Sequence, residues 1–121
     1  MGAPATVLIV DDDPGFLGLT ARIVADLGAE NVVTAANAAR ALDVAAEWRP
    51  WAALVDIGLP DRSGAELGKM LAVLPWRPRV VLTSSDSEVF RGFDTPAEER
   101  LPFVAKIDLS SETLARTLLG R

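Results

Sequence analysis

The chain has neither cysteine nor histidine, and each absence removes a class of chemistry. Without cysteine there are no disulfides, thiolate metal ligands or thiol nucleophiles. Without histidine there is no imidazole base, no imidazole metal ligand and no phosphohistidine carried by the chain itself. No apolar run approaches the roughly 18 residues that mark a membrane-spanning helix. The amino terminus also lacks the basic segment followed by an apolar stretch that directs export. A soluble, cytoplasmic protein is therefore expected, with no membrane contact. The 12 Lys and Arg residues are scattered singly and the formal charge is −5. Binding to a nucleic-acid backbone needs clustered positive charge, so the expected partner is another protein.

What is present fits one domain. The 121 residues can bury a core but are too few for two domains of ordinary size, so residues 1–121 are read as one unit with a loose leader over 1–5. Short apolar runs alternate with helix-like segments, the pattern of an α/β fold around a parallel sheet. The expected strands are Thr6 to Val10, Asn31 to Ala35, Ala52 to Asp56, Arg79 to Thr83 and Phe103 to Ala105. Asp13, Pro14 and Gly28 punctuate a first helix as cap, first residue and stop, with Phe16, Thr20, Ile23, Val24 and Leu27 facing the sheet. A second helix runs from after Asn37 to before Pro50, with Ala41, Leu42 and Ala45 inward. Ser63 and Glu66 have capping-box spacing for a third, whose apolar stripe is Leu67, Met70, Leu71 and Leu74. Between Ser85 and Leu101, Gly92, Asp94 and Pro96 predict a short or irregular fourth helix. A last helix, Ser111 to Leu119, turns Leu114 and Leu118 inward.

The acids stand where strands end. Asp11, Asp12 and Asp13 follow Val7-Leu8-Ile9-Val10, and Asp56 closes Ala52-Ala53-Leu54-Val55. If the two runs are neighbouring parallel strands, Asp11, Asp12 and Asp56 converge in one crevice, and their repulsion is relieved by a proton or a hard divalent cation. Thr83-Ser84 after the fourth strand and Lys106 after the fifth reach the same edge, where open parallel sheets bind ligands. Acids, a hydroxyl and an ammonium together suit phosphoryl transfer to a carboxylate, with Asp56 as nucleophile and Thr83 and Lys106 binding phosphoryl oxygens.

Taken in order, these motifs resemble a response-regulator receiver domain over essentially the whole chain. The matching residues are Asp11-Asp12 in Val-Asp-Asp-Asp-Pro, Asp56 in Leu-Val-Asp-Ile-Gly-Leu-Pro, and Gly64 eight residues on. Thr83 in Val-Val-Leu-Thr-Ser and Lys106 in Phe-Val-Ala-Lys complete the set. The resemblance implies a doubly wound, flavodoxin-like five-stranded sheet in the order 2-1-3-4-5. It implies that Asp56 accepts a phosphoryl group from the phosphohistidine of a sensor histidine kinase or phosphotransfer protein. Asp11 and Asp12 would hold Mg²⁺ with Asp56 and the backbone carbonyl of Gly58. Lys106 would pair with Asp56 before reaction and with the phosphoryl group after it, Thr83 would swing toward that group, and Phe103 matches the aromatic that turns inward in the active state. The added charge of roughly −1.5 to −2 biases a two-state loop and so switches partner binding. The output partner or fused output domain is left open, and a homodimer is admitted.

Two departures bear on this reading. Ile107 stands where receivers commonly have a proline, often cis, after the lysine; a cis bond at a non-proline residue costs about 3 kcal/mol, so a trans bond is expected. Pro102 replaces the small residue that commonly precedes the switch aromatic. Two rival readings use the same acids. One is a pseudo-receiver that binds partners without being phosphorylated. The other is a phosphatase with an aspartyl-phosphate intermediate, but Gly58 stands where such enzymes commonly carry a second acid. Taken singly, Asp13 is a helix cap, Lys106 a surface lysine and Phe103 a core residue. Trp48, Trp51 and Trp76 fall near the strand starts and are read as packing at the opposite edge of the sheet.

Overall fold

The computed structural model describes residues 6–85 and 101–121. The order of elements is β1 (Thr6–Val10), α1 (Pro14–Asp26), β2 (Asn31–Ala35), α2 (Ala38–Trp48), β3 (Ala52–Asp56), α3 (Gly64–Ala72), β4 (Arg79–Ser84), β5 (Phe103–Ala105), a 3₁₀ turn (Lys106–Asp108) and α4 (Ser111–Thr117). All neighbouring strands are parallel, in the order β2-β1-β3-β4-β5. Every strand starts at the expected residue, β4 extends one residue beyond expectation, and α4 ends at Thr117 rather than Leu119. The expected fourth helix and the leader lie outside the described residues.

The unbroken apolar runs follow from a sheet covered on both faces. In β1, β3 and β4, residues Leu8, Val10, Ala53, Val55, Val80 and Leu82 pack under α2 and α3 with Ala41, Val44, Leu67 and Leu71. Their alternates Val7, Ile9, Ala52, Leu54 and Val81 meet Val24 of α1, Leu114 of α4 and Leu118, which caps α4. Side chains alternate faces along a strand, so each central strand serves two cores. The helices begin at their capping side chains: Asp13 accepts from the Gly15 N–H, Asn37 from that of Arg40 and Ser63 from that of Ala65.

Met70 departs from the expected stripe. It is exposed, and its sulfur accepts from an Arg62 guanidinium nitrogen at 3.3 Å. The sheet side of α3 is instead Gly64, Leu67, Gly68 and Leu71, all buried. At Gly68 a Cβ would meet Leu82 and Leu101 side-chain carbons at 2.9 Å, so close helix-on-sheet packing selects glycine and turns Met70 outward.

The tryptophans lie at the amino-terminal edge, as expected. Trp51 donates its N–H to the Thr6 carbonyl and accepts from the Arg79 N–H, and Trp76 Nε1 donates to the Pro50 carbonyl at 2.9 Å. Packing holds only for Trp76, which also carries the Arg49 guanidinium over its ring, whereas Trp48 and Trp51 are exposed. Among the described residues no helix is long and apolar enough to cross a membrane.

Candidate functional site

β1, β3, β4 and β5 each deliver part of the site at the carboxyl end. β1 passes directly into Asp11, whose N–H continues the ladder to the Ala35 carbonyl at 3.1 Å and whose Oδ1 accepts from the Asp13 N–H at 2.9 Å. Asp11 is completely buried, Asp12 is exposed, and Asp56, the last residue of β3, is buried. The three carboxylates each present an oxygen, and these lie within 4.8 Å of one another. The expected convergence is thus observed.

Lys106, just beyond β5, is the ammonium that answers these acids. Its Nζ lies 2.6 Å from Asp11 Oδ2 and 3.8 Å from Asp56 Oδ1, and 4.3 Å from the centroid of the Phe16 ring. The expected pairing with Asp56 is therefore secondary. Burial explains the preference: Asp11 has no exposed surface, and its Oδ2 makes no hydrogen bond of good geometry. A carboxylate so placed depends on a neighbouring cation. Phe16, expected to face the sheet, is half-buried and supplies a cation–π contact to that ammonium; side-chain periodicity alone gave no sign of this second role.

The environment of Asp56 pushes its carboxyl above the ordinary carboxylate value. Burial is the largest cause, followed by the Asp11 charge, while Lys106 and the Gly58 N–H act in the opposite direction and Asp12 adds a smaller upward push. A raised folded-state pKa means that the ionised group opposes folding above that pKa, and that this cost disappears below the unfolded value near 3.8. Asp56→Asn is accordingly expected to raise stability at pH 7 by about 1 kcal/mol, as removal of functional-site strain commonly does. The gain should fade as the pH falls toward 3.8; thermal unfolding across pH without divalent ions checks it, and a loss of stability at pH 7 would refute it.

The cleft above these groups is open, about 460 Å³, and is lined by the acids together with Phe16, Ile57, Gly58, Ser84, Ser85 and Lys106. Gly58 sits beside the Asp56 carboxylate: a Cβ on it would stand 3.5 Å from Asp56 Oδ2. Thr83 is paired in register with Asp56 but does not line the cleft. It is completely buried and its hydroxyl has no hydrogen-bond partner. Phe103, opposite Leu82, is partly buried against the core under α2 and α3. Ile107 is exposed, and the Lys106–Ile107 bond is trans as expected.

The donor set fits a hard divalent cation. Among the described residues three carboxylates face a single ammonium, which leaves negative charge uncompensated, and all the clustered donors are oxygens of the kind Mg²⁺ and Ca²⁺ take.

A doubly wound sheet with acids at the ends of β1 and β3 and a lysine beyond β5 defines the receiver class. The sequence model of the response regulator receiver domain matches residues 7–106, and the chain belongs to that family of two-component signalling domains. Among curated proteins it resembles the transcriptional regulatory protein KdpE of Mycobacterium tuberculosis, at 34% identity over 91% of this chain and 48% of that one. It likewise resembles the probable transcriptional regulatory protein TcrX of the same species, at 34% identity over 71% of this chain and 37% of that one. The chain thus spans less than half the length of these relatives. Among solved structures, a putative response regulator from Chloroflexus aurantiacus is 26% identical, with a TM-score of 0.75 and 93% of each chain covered. A sensor protein from Polaromonas sp. JS666 shares the fold at a TM-score of 0.80 and 22% identity, over 95% of this chain and 93% of that one.

Proposed function

We propose that this receiver domain is a cytoplasmic phosphoacceptor switch: Asp56 takes a phosphoryl group from the phosphohistidine of a sensor histidine kinase or phosphotransfer protein, and the product alters binding to an output partner. The observation that carries this reading is the meeting of Asp11, Asp12 and Asp56 in one open cleft, with Lys106 within 4 Å of two of them.

In the reaction an Asp56 oxygen forms a bond to phosphorus as the donor's phosphorus–nitrogen bond breaks and its electron pair returns to the imidazole. Asp11, Asp12, Asp56 and the Gly58 carbonyl would hold Mg²⁺, which supplies charge neutralisation between the carboxylates and the incoming phosphoryl oxygens. Lys106 then exchanges its carboxylate contact for a phosphoryl oxygen. The unpartnered Thr83 hydroxyl forfeits no hydrogen bond when it turns toward the same group. Phe103, the first residue of β5, follows.

The test is mass spectrometry of the intact chain after incubation with acetyl phosphate or a phosphorylated histidine kinase, with and without Mg²⁺. An alkali-labile adduct on Asp56 is expected only with Mg²⁺, and Asp56→Asn should abolish it. No adduct with any donor would sink this reading and leave a protein-interaction module.

A further inference from the structure

One acid outside the cluster is bound more specifically than its exposed position suggests. Asp61 lies in the loop between β3 and α3, yet its Oδ1 accepts from the Ala38 N–H at 2.8 Å and its Oδ2 from the Ala39 N–H at 3.0 Å. Asn37 accepts from the Arg40 N–H at 2.8 Å. The first three amides of α2, which have no partner within the helix, are thus all satisfied by side chains. Two of those bonds come from another element. The helix terminus favours a carboxylate there, and the two N–H groups hold the Asp61 carboxyl below the ordinary carboxylate value.

Because Asn37 already caps this helix, the particular effect of Asp61 falls on its own loop. That loop is tied at its start by the Ile57 N–H to the Thr83 carbonyl at 2.9 Å, and closed by the Gly64 N–H to the Ile57 carbonyl at 3.0 Å. Asp61 adds the tie to α2. Between these anchors stands Gly58, which lies beside the Asp56 carboxylate and whose carbonyl is the expected fourth protein ligand of the metal. A glycine peptide has many accessible conformations, so its orientation is set by what holds the loop on either side.

We infer that Asp61 is a positioning residue of the phosphoacceptor site: by clamping the loop to α2 it fixes the Gly58 peptide against Asp56. This rests on the reading of Asp56 as a Mg²⁺-dependent acceptor. Groups that orient ligands from behind commonly change metal affinity about 10- to 100-fold when removed.

The experiment compares wild type, Asp61→Ala, Asp61→Asn and Asn37→Ala by Mg²⁺ titration calorimetry, by the rate of acetyl-phosphate labelling and by thermal unfolding. Asp61→Ala is expected to weaken Mg²⁺ binding about 10-fold and to slow labelling at subsaturating Mg²⁺. Asp61→Asn, which keeps one acceptor oxygen, should fall between it and wild type. Asn37→Ala removes a cap from the same helix end without touching the loop, so it should lower stability and leave Mg²⁺ affinity unchanged. If Asp61→Ala does not fold, a weakened Mg²⁺ affinity in folded Asp61→Asn supports the clamp and an unchanged one overturns it. Wild-type affinity in the Asp61 variants, or an equal loss in Asn37→Ala, overturns the positioning role alone. A wild-type protein that neither binds Mg²⁺ nor becomes labelled overturns the underlying reading as well.

Discussion

Gly64→Ala is expected to destabilise the protein by about 3 kcal/mol or more, at the upper end of what overpacking produces. Gly64 opens α3 where the helix starts against the end of β3. A Cβ there would overlap the Asp56 carbonyl oxygen, and would stand 2.5 Å from Ile57 Cα and 2.7 Å from the Asp56 carbonyl carbon. These are backbone atoms and cannot rotate away, so either the helix start retreats or the strand end bends. Retreat strains the Gly64 N–H bond to the Ile57 carbonyl and opens the closure of the loop that carries Gly58. Bending displaces Asp56 itself. Both routes damage the site together with the fold, so Mg²⁺ binding and labelling of Asp56 should fall in whatever fraction remains folded. Gly18→Ala is the control: no atom lies within 4 Å of its added Cβ and the position is helical, so a gain of about 0.5–1 kcal/mol is expected from helix propensity. Urea unfolding of both variants decides. A Gly64→Ala cost below about 1 kcal/mol would mean that α3 is not packed on β3 in this way.

The contrast between those glycines shows which parts of the structure could be read in the chain. The central strands β1, β3 and β4 were legible because their burial on both faces leaves a continuous apolar run, and because the runs at β1 and β3 are followed or closed by acids. Helix starts were legible because Asp13, Asn37 and Ser63 each cap from a position adjacent in sequence. The converging carboxylates needed only parallel neighbouring strands. Met70 was misplaced because a glycine on the buried side of a helix gives no hydrophobic signal, although Gly68 and not Met70 lies against the sheet. The preference of Lys106 for Asp11 over Asp56 depends on relative burial at one strand end, which periodicity does not report. Asp61 was invisible for a different reason: its partners lie 22 and 23 residues away, and a cap supplied across elements has no local spacing to mark it.

The Lys106 contact leads to the second large effect, best measured as a double-mutant cycle. Lys106→Met removes the ammonium 2.6 Å from a carboxylate with no exposed surface. Removing one partner of such a pair leaves a buried charge uncompensated, at a cost of roughly 3 kcal/mol. The loss should be much smaller in an Asp11→Asn background, where the charge needing compensation has gone. Coupling between Lys106 and Asp11 is therefore expected in the range of about 1–3 kcal/mol. The pair with Asp56, at 3.8 Å, should couple more weakly. Urea unfolding of the single and double variants without divalent ions gives both values. The reverse order would mean that the ammonium serves Asp56 first and that burial does not govern its choice. The same cycle with Mg²⁺ present then bears on the switch. A divalent cation shared by Asp11, Asp12 and Asp56 takes over the compensation of Asp11, so the Lys106–Asp11 coupling should shrink. An undiminished coupling would mean that the lysine stays committed to Asp11 and is not released toward a phosphoryl group on Asp56.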